Sequence, residues 1–383
     1  MSLANKRVVV VSHIYALGPP IVDLEEYLRS RVRKLTIIGL PFSYSRIEKS
    51  FLRQYEGKQK RFELEKKPFI RRDWYLYGRD FVLALWWGFR AGKTDVFIGI
   101  DNVNAFVGLI LRFFHRTEVV VYYTIDYNPE RFSNNLMNSI YHWIDTQCVK
   151  RANWVWNLAS VMVDEREKKG ISPQYQAKQL TVPIGVNLNI KPKPAVKRHP
   201  YEIAYMGHLR AGQGVEFLID AFPSVVKQIP QAKLAILGGG ELLLSLRHKV
   251  KQMKLEESVY FSGFVKDSRD LDERLSLAQV AVAPYEDTPG NYTRYTDPGK
   301  PKSYLALGIP IVITKVPQFA KVIDKRKAGV AIDFDQKQLV SAIVELLKDQ
   351  KKWQQYHNNA LALANEYKWD DLFDKAFRSM KMF

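Results

Sequence analysis

Cysteine is nearly missing from this chain, and so are long apolar runs, metal-ligand spacings and acidic residues in balance with basic ones. Cys148 is the only cysteine in 383 residues. A single thiol excludes an intrachain disulfide and a thiolate metal cluster, and it fits a reducing cytoplasm. The apolar stretches DFVLALWWGF and VNAFVGLILRFF stop well short of the roughly 20 residues that span a bilayer. The start, MSLANKRVVVVSH, has an apolar stretch too short for a secretory h-region and no small-residue cleavage pattern. The seven histidines show no ligand spacing. DLDER at 270 to 274 reads as a helix start, where aspartates cap N–H groups and favour the dipole. No metal is expected. The deficit of acid is large: 58 Lys and Arg face 40 Asp and Glu, a net charge of +18. It calls for an anionic partner such as nucleic acid, a lipid surface or a phosphorylated substrate.

A chain of this length is expected to fold as two domains. RVVVVSH (7 to 13), KLTIIGL, TDVFIGI, EVVVYYTI and NWVWNLA read as buried strands that alternate with helices, including one over 103 to 114 and one over about 133 to 151. Continuous apolar strands between helices imply parallel βαβ units with both sheet faces covered. Residues 188 to 200, LNIKPKPAVKRHP, carry prolines and cations with few large apolar groups, as a linker does. The alternation then restarts with YEIAYMGHL, AKLAILGGG, VYFSGFV and VAVAPY. The expected architecture is α/β: two Rossmann-like parallel-sheet domains facing across a cleft, over 1–187 and 201–368, with ligands at the carboxyl ends of the strands.

One segment concentrates the chemistry. In TDPGKPKSYLALGIPIVIT (296 to 314), Lys300 and Lys302 stand where a Gly/Pro loop becomes a short helix. A helix start offers unpaired N–H groups and partial positive charge, so added cations suit a bound anion, although a solvated turn has the same composition.

Read in series, YMGHLRAGQGVEFLIDAF, AKLAILGGGE, VYFSGFV, LSLAQVAVAPY and DPGKPKSYLALGIPIVIT resemble the donor domain of GT-B glycosyltransferases of the family 4 (group 1) type. TDVFIGIDNVNAF, EVVVYYTIDYNPERF and TVPIGVN resemble its acceptor domain less closely. The resemblance implies transfer of a sugar from a nucleotide diphosphate donor, UDP-linked above all, to a glycan or lipid-linked acceptor in cell-surface polysaccharide synthesis. It implies no cofactor, no catalytic metal, and a carboxy-terminal helix over about 369–383 that packs back on the first domain. Lys300 matches the family lysine near the diphosphate and Tyr304 the residue after the helix glutamate. That glutamate is Ser303 here, and its partner eight positions earlier is Tyr295. Gly207, His208, Arg210, Phe264, Val265 and Tyr285 complete the implied donor site, with His208 and Gln213 where the family commonly has arginine and lysine. Missing carboxylates and surviving cations favour an acidic donor sugar, a uronic acid, as in membrane-associated bacterial polysaccharide glucuronosyltransferases.

Asp126 ends the strand VVVYYTID and is the candidate base for the attacking hydroxyl, which by direct displacement would invert the sugar; a retaining course stays open on the same fold, and an Asx turn after a strand is the plainer alternative for this residue. His13 and Asp101 also follow strands and are acceptor-side candidates. The stretch from 46 to 89 is the densest in cations and aromatics, with Arg71, Arg72, Trp74, Trp86 and Trp87 suited to an anionic membrane surface. A peripheral enzyme on the inner face of the cell membrane is the resulting expectation. Two rivals stand beside it: a sugar-nucleotide epimerase of the same fold, and a basic nucleic-acid-binding protein. Against the second, no nucleic-acid motif is present, and no nucleic-acid partner is expected.

Overall fold

The computed structural model describes residues 3–14, 20–43, 45, 47–188, 198–288 and 291–382, with the backbone alone at 73 and 74. The linker expected over 188 to 200 thus lies largely outside the described residues. Its end is not free chain: Arg198 is buried and donates to the carbonyls of Ser276, Ala278 and Leu307 at 3.1, 2.8 and 2.7 Å.

The chain forms two units, Met1–Ile184 with Trp369–Phe383, and Gly185–Lys368. In the first, β1 (Arg7–Ile14), β2 (Lys34–Pro41), β3 (Ser50–Glu56), β4 (Gln59–Lys66), β5 (Thr94–Ile100), β6 (Thr117–Thr124), β7 (Trp154–Asn157) and β8 (Gln179–Thr181) make one sheet. Its order is β4-β3-β2-β1-β5-β6-β7-β8. β1 pairs in parallel with β2 and β5, so the strand order reverses there. β3 and β4 form an antiparallel hairpin on β2. The sequence reading assigns no strands to that region, because QKRFELEK is exposed at an edge and too charged to show apolar alternation.

Helices Asp73–Arg90, Asn102–Phe113 and Asn135–Arg151 cover one face of this sheet, against Val9, Val11, Phe97, Val120 and Tyr122. The other face, with Val8, Val10 and Ile98, packs on helices Ile21–Arg29 and Trp369–Ser379. Tyr27 fixes that last helix: its hydroxyl donates to Asp374 Oδ1 at 2.6 Å and its ring stacks on Phe377.

The second unit contains β9 (Glu202–Met206), β10 (Lys233–Leu237), β11 (Val259–Gly263), β12 (Val280–Ala283), β13 (Ile311–Thr314) and β14 (Gly329–Ile332). The order is β11-β10-β9-β12-β13-β14, every pair parallel. This is the doubly wound arrangement, whose order reverses between β9 and β12 and leaves a crevice beyond their carboxyl ends.

Candidate active site

In the second unit, Lys300 occupies the crevice position. It lies in the first turn of helix Gly299–Ala306, whose leading N–H groups have no partners within the helix. Its ammonium donates to Gln213 Oε1 at 2.7 Å and to the Tyr205 hydroxyl at 3.3 Å. The same nitrogen stands 4.9 Å from the Tyr205 ring centroid and 5.4 Å from that of Tyr285. Burial lowers the Lys300 pKa to about 7, and the positive charge of Arg210 adds to the effect.

Gly207, just past β9, makes this placement possible. It adopts φ 148°, and a Cβ there would lie 2.3 Å from Lys300 Nζ. The turn after β10 closes behind it: a Cβ on Gly238, at φ 156°, would meet the Gly207 carbonyl at 1.9 Å. Both conformations are natural only for glycine. Arg210 donates to the Tyr292 hydroxyl at 3.0 Å. Burial, with the charge of Glu216 added to it, raises the Glu286 pKa.

The remaining donor-side candidates divide by exposure. His208 and Phe264 are exposed, and Val265 and Ser303 are partly so. Phe264 lies against the glycine turn, with its Cβ 3.3 Å from where a Gly239 Cβ would stand. Tyr285 is buried, and its hydroxyl has no hydrogen-bond partner among the described residues. Tyr304 is also fully buried, but its hydroxyl accepts from Met206 N at 2.7 Å. It therefore holds the end of β9. Lys302, paired in sequence with Lys300, is buried: its ammonium donates to Asp297 at 2.9 Å and lies 3.6 Å from the Tyr367 ring centroid. Of the two lysines in that segment, only Lys300 reaches the crevice.

The first unit carries a separate cavity of about 440 Å³ at the carboxyl ends of β1, β5 and β6. His13, Asp101, Asp126 and Arg131 line it together with Phe42, Tyr77, Phe81, Met137, Ile140 and Ile144. His13 is buried, stacked on Phe42, and accepts at Nδ1 from Asn104 Nδ2 at 3.1 Å. Asn104 also donates to the Ile100 carbonyl, which leaves His13 Nε2 as the proton-bearing nitrogen, 3.7 Å from Asp80 Oδ2.

Asp126 is ion-paired with Arg131, while its Oδ1 is buried without a partner in the described residues. Asp101 differs in every respect. It precedes helix Asn102–Phe113 yet makes no side-chain cap bond, and it holds φ 75° and ψ 158°, a region almost confined to glycine. Burial raises its pKa to about 6; His13 opposes that shift and the charge of Asp126 adds to it. Neither capping nor backbone preference explains an aspartate here.

The end of β6 that leads to Asp126 is fixed by a buried network. Arg166 donates to both oxygens of Asp145 at 2.9 and 2.7 Å, to Asn157 Oδ1 at 2.5 Å and to Thr124 Oγ1 at 2.8 Å. Tyr122 donates to Asp145 Oδ1 at 2.6 Å.

One membrane-surface candidate is corrected. Trp87 is wholly buried in the core with Val9, Leu83 and Phe97, because it faces inward one position after the half-exposed Trp86. Arg72 is exposed, whereas Arg71 is partly exposed and donates to the Ser45 carbonyl at 2.7 Å. The Trp74 side chain lies outside the described residues. Among the described residues no helix is long and apolar enough to cross a membrane.

Two doubly wound units with these strand-end clusters define a GT-B glycosyltransferase fold. Residues 187–362, nearly all of the unit Gly185–Lys368, match the family model described as glycosyl transferases group 1. The fold is similar to that of HepE from Anabaena, solved in complex with UDP, with a TM-score of 0.70, 14% identity, and 98% of this chain and 100% of that one covered. It is similar also to sucrose-phosphate synthase from Thermosynechococcus elongatus, with a TM-score of 0.72, 17% identity and coverages of 98% and 99%. By sequence, the chain is 25% identical over 179 residues to poly(glycerol-phosphate) alpha-glucosyltransferase of Bacillus subtilis, covering 45% of this chain and 25% of that protein. It is 31% identical over 117 residues to mannosylfructose-phosphate synthase of Agrobacterium fabrum, covering 28% and 24%. The match thus spans about a quarter of the length of these curated relatives.

Sequence reasoning missed Tyr205, Tyr292 and Arg131, the partners of Lys300, Arg210 and Asp126. Arg131 had a faint signal, five residues past Asp126 in DYNPER. The tyrosines had none, since ordinary core or turn positions account for them equally well.

Proposed function

We propose that this protein transfers a glycosyl unit from a UDP-sugar to a hydroxyl of a glycan or lipid-linked acceptor. The observation that carries the reading is Lys300: a cation at the strand-order reversal, kept there by a glycine at Gly207 that no other residue could replace without displacing it. The acceptor oxygen attacks the anomeric carbon, the bond from that carbon to the diphosphate breaks, and negative charge grows on the leaving UDP. Lys300, Arg210 and the first N–H groups of helix Gly299–Ala306 meet that charge.

The hydroxyl's proton goes to the carboxylates of the first unit's cavity. Asp126 is ion-paired with Arg131, its charge favours a proton on Asp101, and Asp101 is the final acceptor. Direct displacement inverts the anomeric centre. A separate cavity for a second substrate supports a transferase over an epimerase.

The donor site has no carboxylate beside Lys300 at position 303, which supports an acidic donor sugar. The exposed Arg72 and Trp86, with the Lys66 ammonium 5.7 Å from the Trp86 ring, support seating on the inner face of a membrane. Calorimetry with UDP, uridine and single-stranded RNA tests the class, and thermal shift with UDP-glucose and UDP-glucuronate tests the sugar. UDP should bind well above uridine, and UDP-glucuronate should stabilise more than UDP-glucose. No affinity for UDP, or RNA binding that outlasts added salt, would overturn the reading.

A further inference from the structure

Helix Asn135–Arg151 is built the wrong way round for a protein surrounded only by water. Its buried residues are Asp145, Cys148 and Val149. Leu136, Ile140 and Trp143, spaced i, i+4, i+7 on another face, are 70%, 50% and 56% exposed. The neighbouring helices of the same layer repeat the pattern. Val82 and Trp86 on Asp73–Arg90 are 64% and 50% exposed, and Phe113 at the end of Asn102–Phe113 is 78% exposed. Scattered apolar residues need no explanation, but a set on three adjacent helices does.

Two further observations identify the occupant. The first is charge. Arg90, Lys93, His115, Lys150 and Arg151 are exposed on or beside these helices, while the acids Asp80 and Asp145 are buried in ion pairs. No exposed carboxylate is present among the described side chains of the three helices. An apolar stripe with cations at its helix ends, and no exposed carboxylate on the described side chains of the helices themselves, matches an anionic lipid surface. The second is the cavity. Met137, Ile140, Ile144, Tyr77 and Phe81 line it and belong to two of these helices, so its apolar wall runs directly into the exposed stripe.

We infer that the outer face of these three helices lies on an anionic bilayer and that the cavity beside it receives the apolar chain of the acceptor. This deepens the acceptor reading given above and rests on it. The cavity then places the chain against Met137 and Ile144 and the chain's polar end near Asp101 and Asp126.

The test uses the full chain with vesicles of phosphatidylcholine containing roughly 30% phosphatidylglycerol, an anionic surface of the kind cations are drawn to. Leu136→Ser, Ile140→Ser and Trp143→Ser combined, all at exposed positions, should reduce flotation with these vesicles at least tenfold. Leu244→Ser with Phe334→Ser, exposed in the other unit, should leave flotation unchanged. Met137→Asp should weaken binding of dodecyl β-glucoside, used below its micelle concentration, at least tenfold. UDP calorimetry should be unaltered in every variant, and its loss in wild type would instead sink the transferase reading. Vesicle binding by the triple serine variant equal to wild type overturns the docking face. A wild type that ignores vesicles and sediments as a dimer dissolved by the same triple change assigns the stripe to a second copy. Failure of wild type to bind dodecyl β-glucoside overturns the chain site.

Discussion

Replacing Asp101 should stabilise the protein and silence it. The magnitude has two parts. The first is conformational: at φ 75° and ψ 158° a residue with a Cβ carries strain on the order of 1–3 kcal/mol. Glycine removes the strain but returns roughly 0.5–1 kcal/mol through the greater entropy of its unfolded chain. The second part is the charge. The folded pKa is raised from 3.8 to about 6, and at about 1.4 kcal/mol per unit the ionised form costs about 3 kcal/mol. The helix start gives back about 0.3–1 kcal/mol, leaving about 2 kcal/mol.

The sign follows from proton affinity. The folded state holds the Asp101 proton more tightly than the unfolded state, so the cost is absent below about pH 4, grows between 4 and 6, and is complete above 6. Asp101→Asn keeps the strain and removes the charge, so its melting temperature should match wild type at pH 4 and exceed it by about 4–8 °C at pH 8, on the scale for a unit of roughly 200 residues. Asp101→Gly should gain at least as much at pH 8. Both should lose on the order of 100-fold in UDP release from a donor, and wild-type turnover should rise with pH through 6 and then flatten. Scanning fluorimetry from pH 4 to 8 beside a UDP-release assay measures all of this. Melting temperatures that fall in both variants, by the same amount at every pH, would make Asp101 a structural cap. Near wild-type turnover in Asp101→Asn would remove it from the proton path.

Four other outcomes are expected. Asp126→Asn should lower turnover by on the order of 100-fold and move the acidic limb of the pH profile below 6, since Asp126 raises the Asp101 pKa; a profile that does not move would separate the two carboxylates. Lys300→Ala should weaken UDP much more than uridine, and in wild type UDP binding at pH 8 should take up a proton, because Lys300 is mostly neutral above about 7 and a bound diphosphate favours its charged form; calorimetry in buffers of different ionisation heat reads that proton directly. Gly207→Ala should reproduce much of the Lys300→Ala defect, since its Cβ would fall 2.3 Å from Lys300 Nζ; unchanged UDP affinity would show that the lysine has another way in. Arg166→Met should cost about 3–5 kcal/mol by leaving Asp145 buried and unpaired, seen as a fall in the melting temperature with UDP affinity intact in whatever fraction remains folded.

The parts of this protein that its sequence revealed are those in which each residue argues for its own position. Runs such as VVVV in β1 and IVIT in β13 need burial on both faces and announce parallel strands wherever they occur. Gly207 and Lys300 took their place in the candidate site only from the resemblance, because a lysine at a Gly/Pro helix start suits a solvated turn equally well. The β3–β4 hairpin was invisible for another reason: an edge strand such as QKRFELEK takes its structure from its neighbour, and its own side chains face water. Trp86 and Trp87 were indistinguishable as a pair, since only the phase of the helix on the sheet decides which one enters the core. The same phase hid the stripe on Asn135–Arg151. Leu136, Ile140 and Trp143 carry an ordinary helical spacing, and any reader of the sequence would turn that face inward. What prevents it is Arg166. The guanidinium is buried and must meet Asp145, so the helix rotates to bring Asp145 against the sheet and presents its apolar face outward. A polar network in the interior thus sets an apolar surface on the exterior.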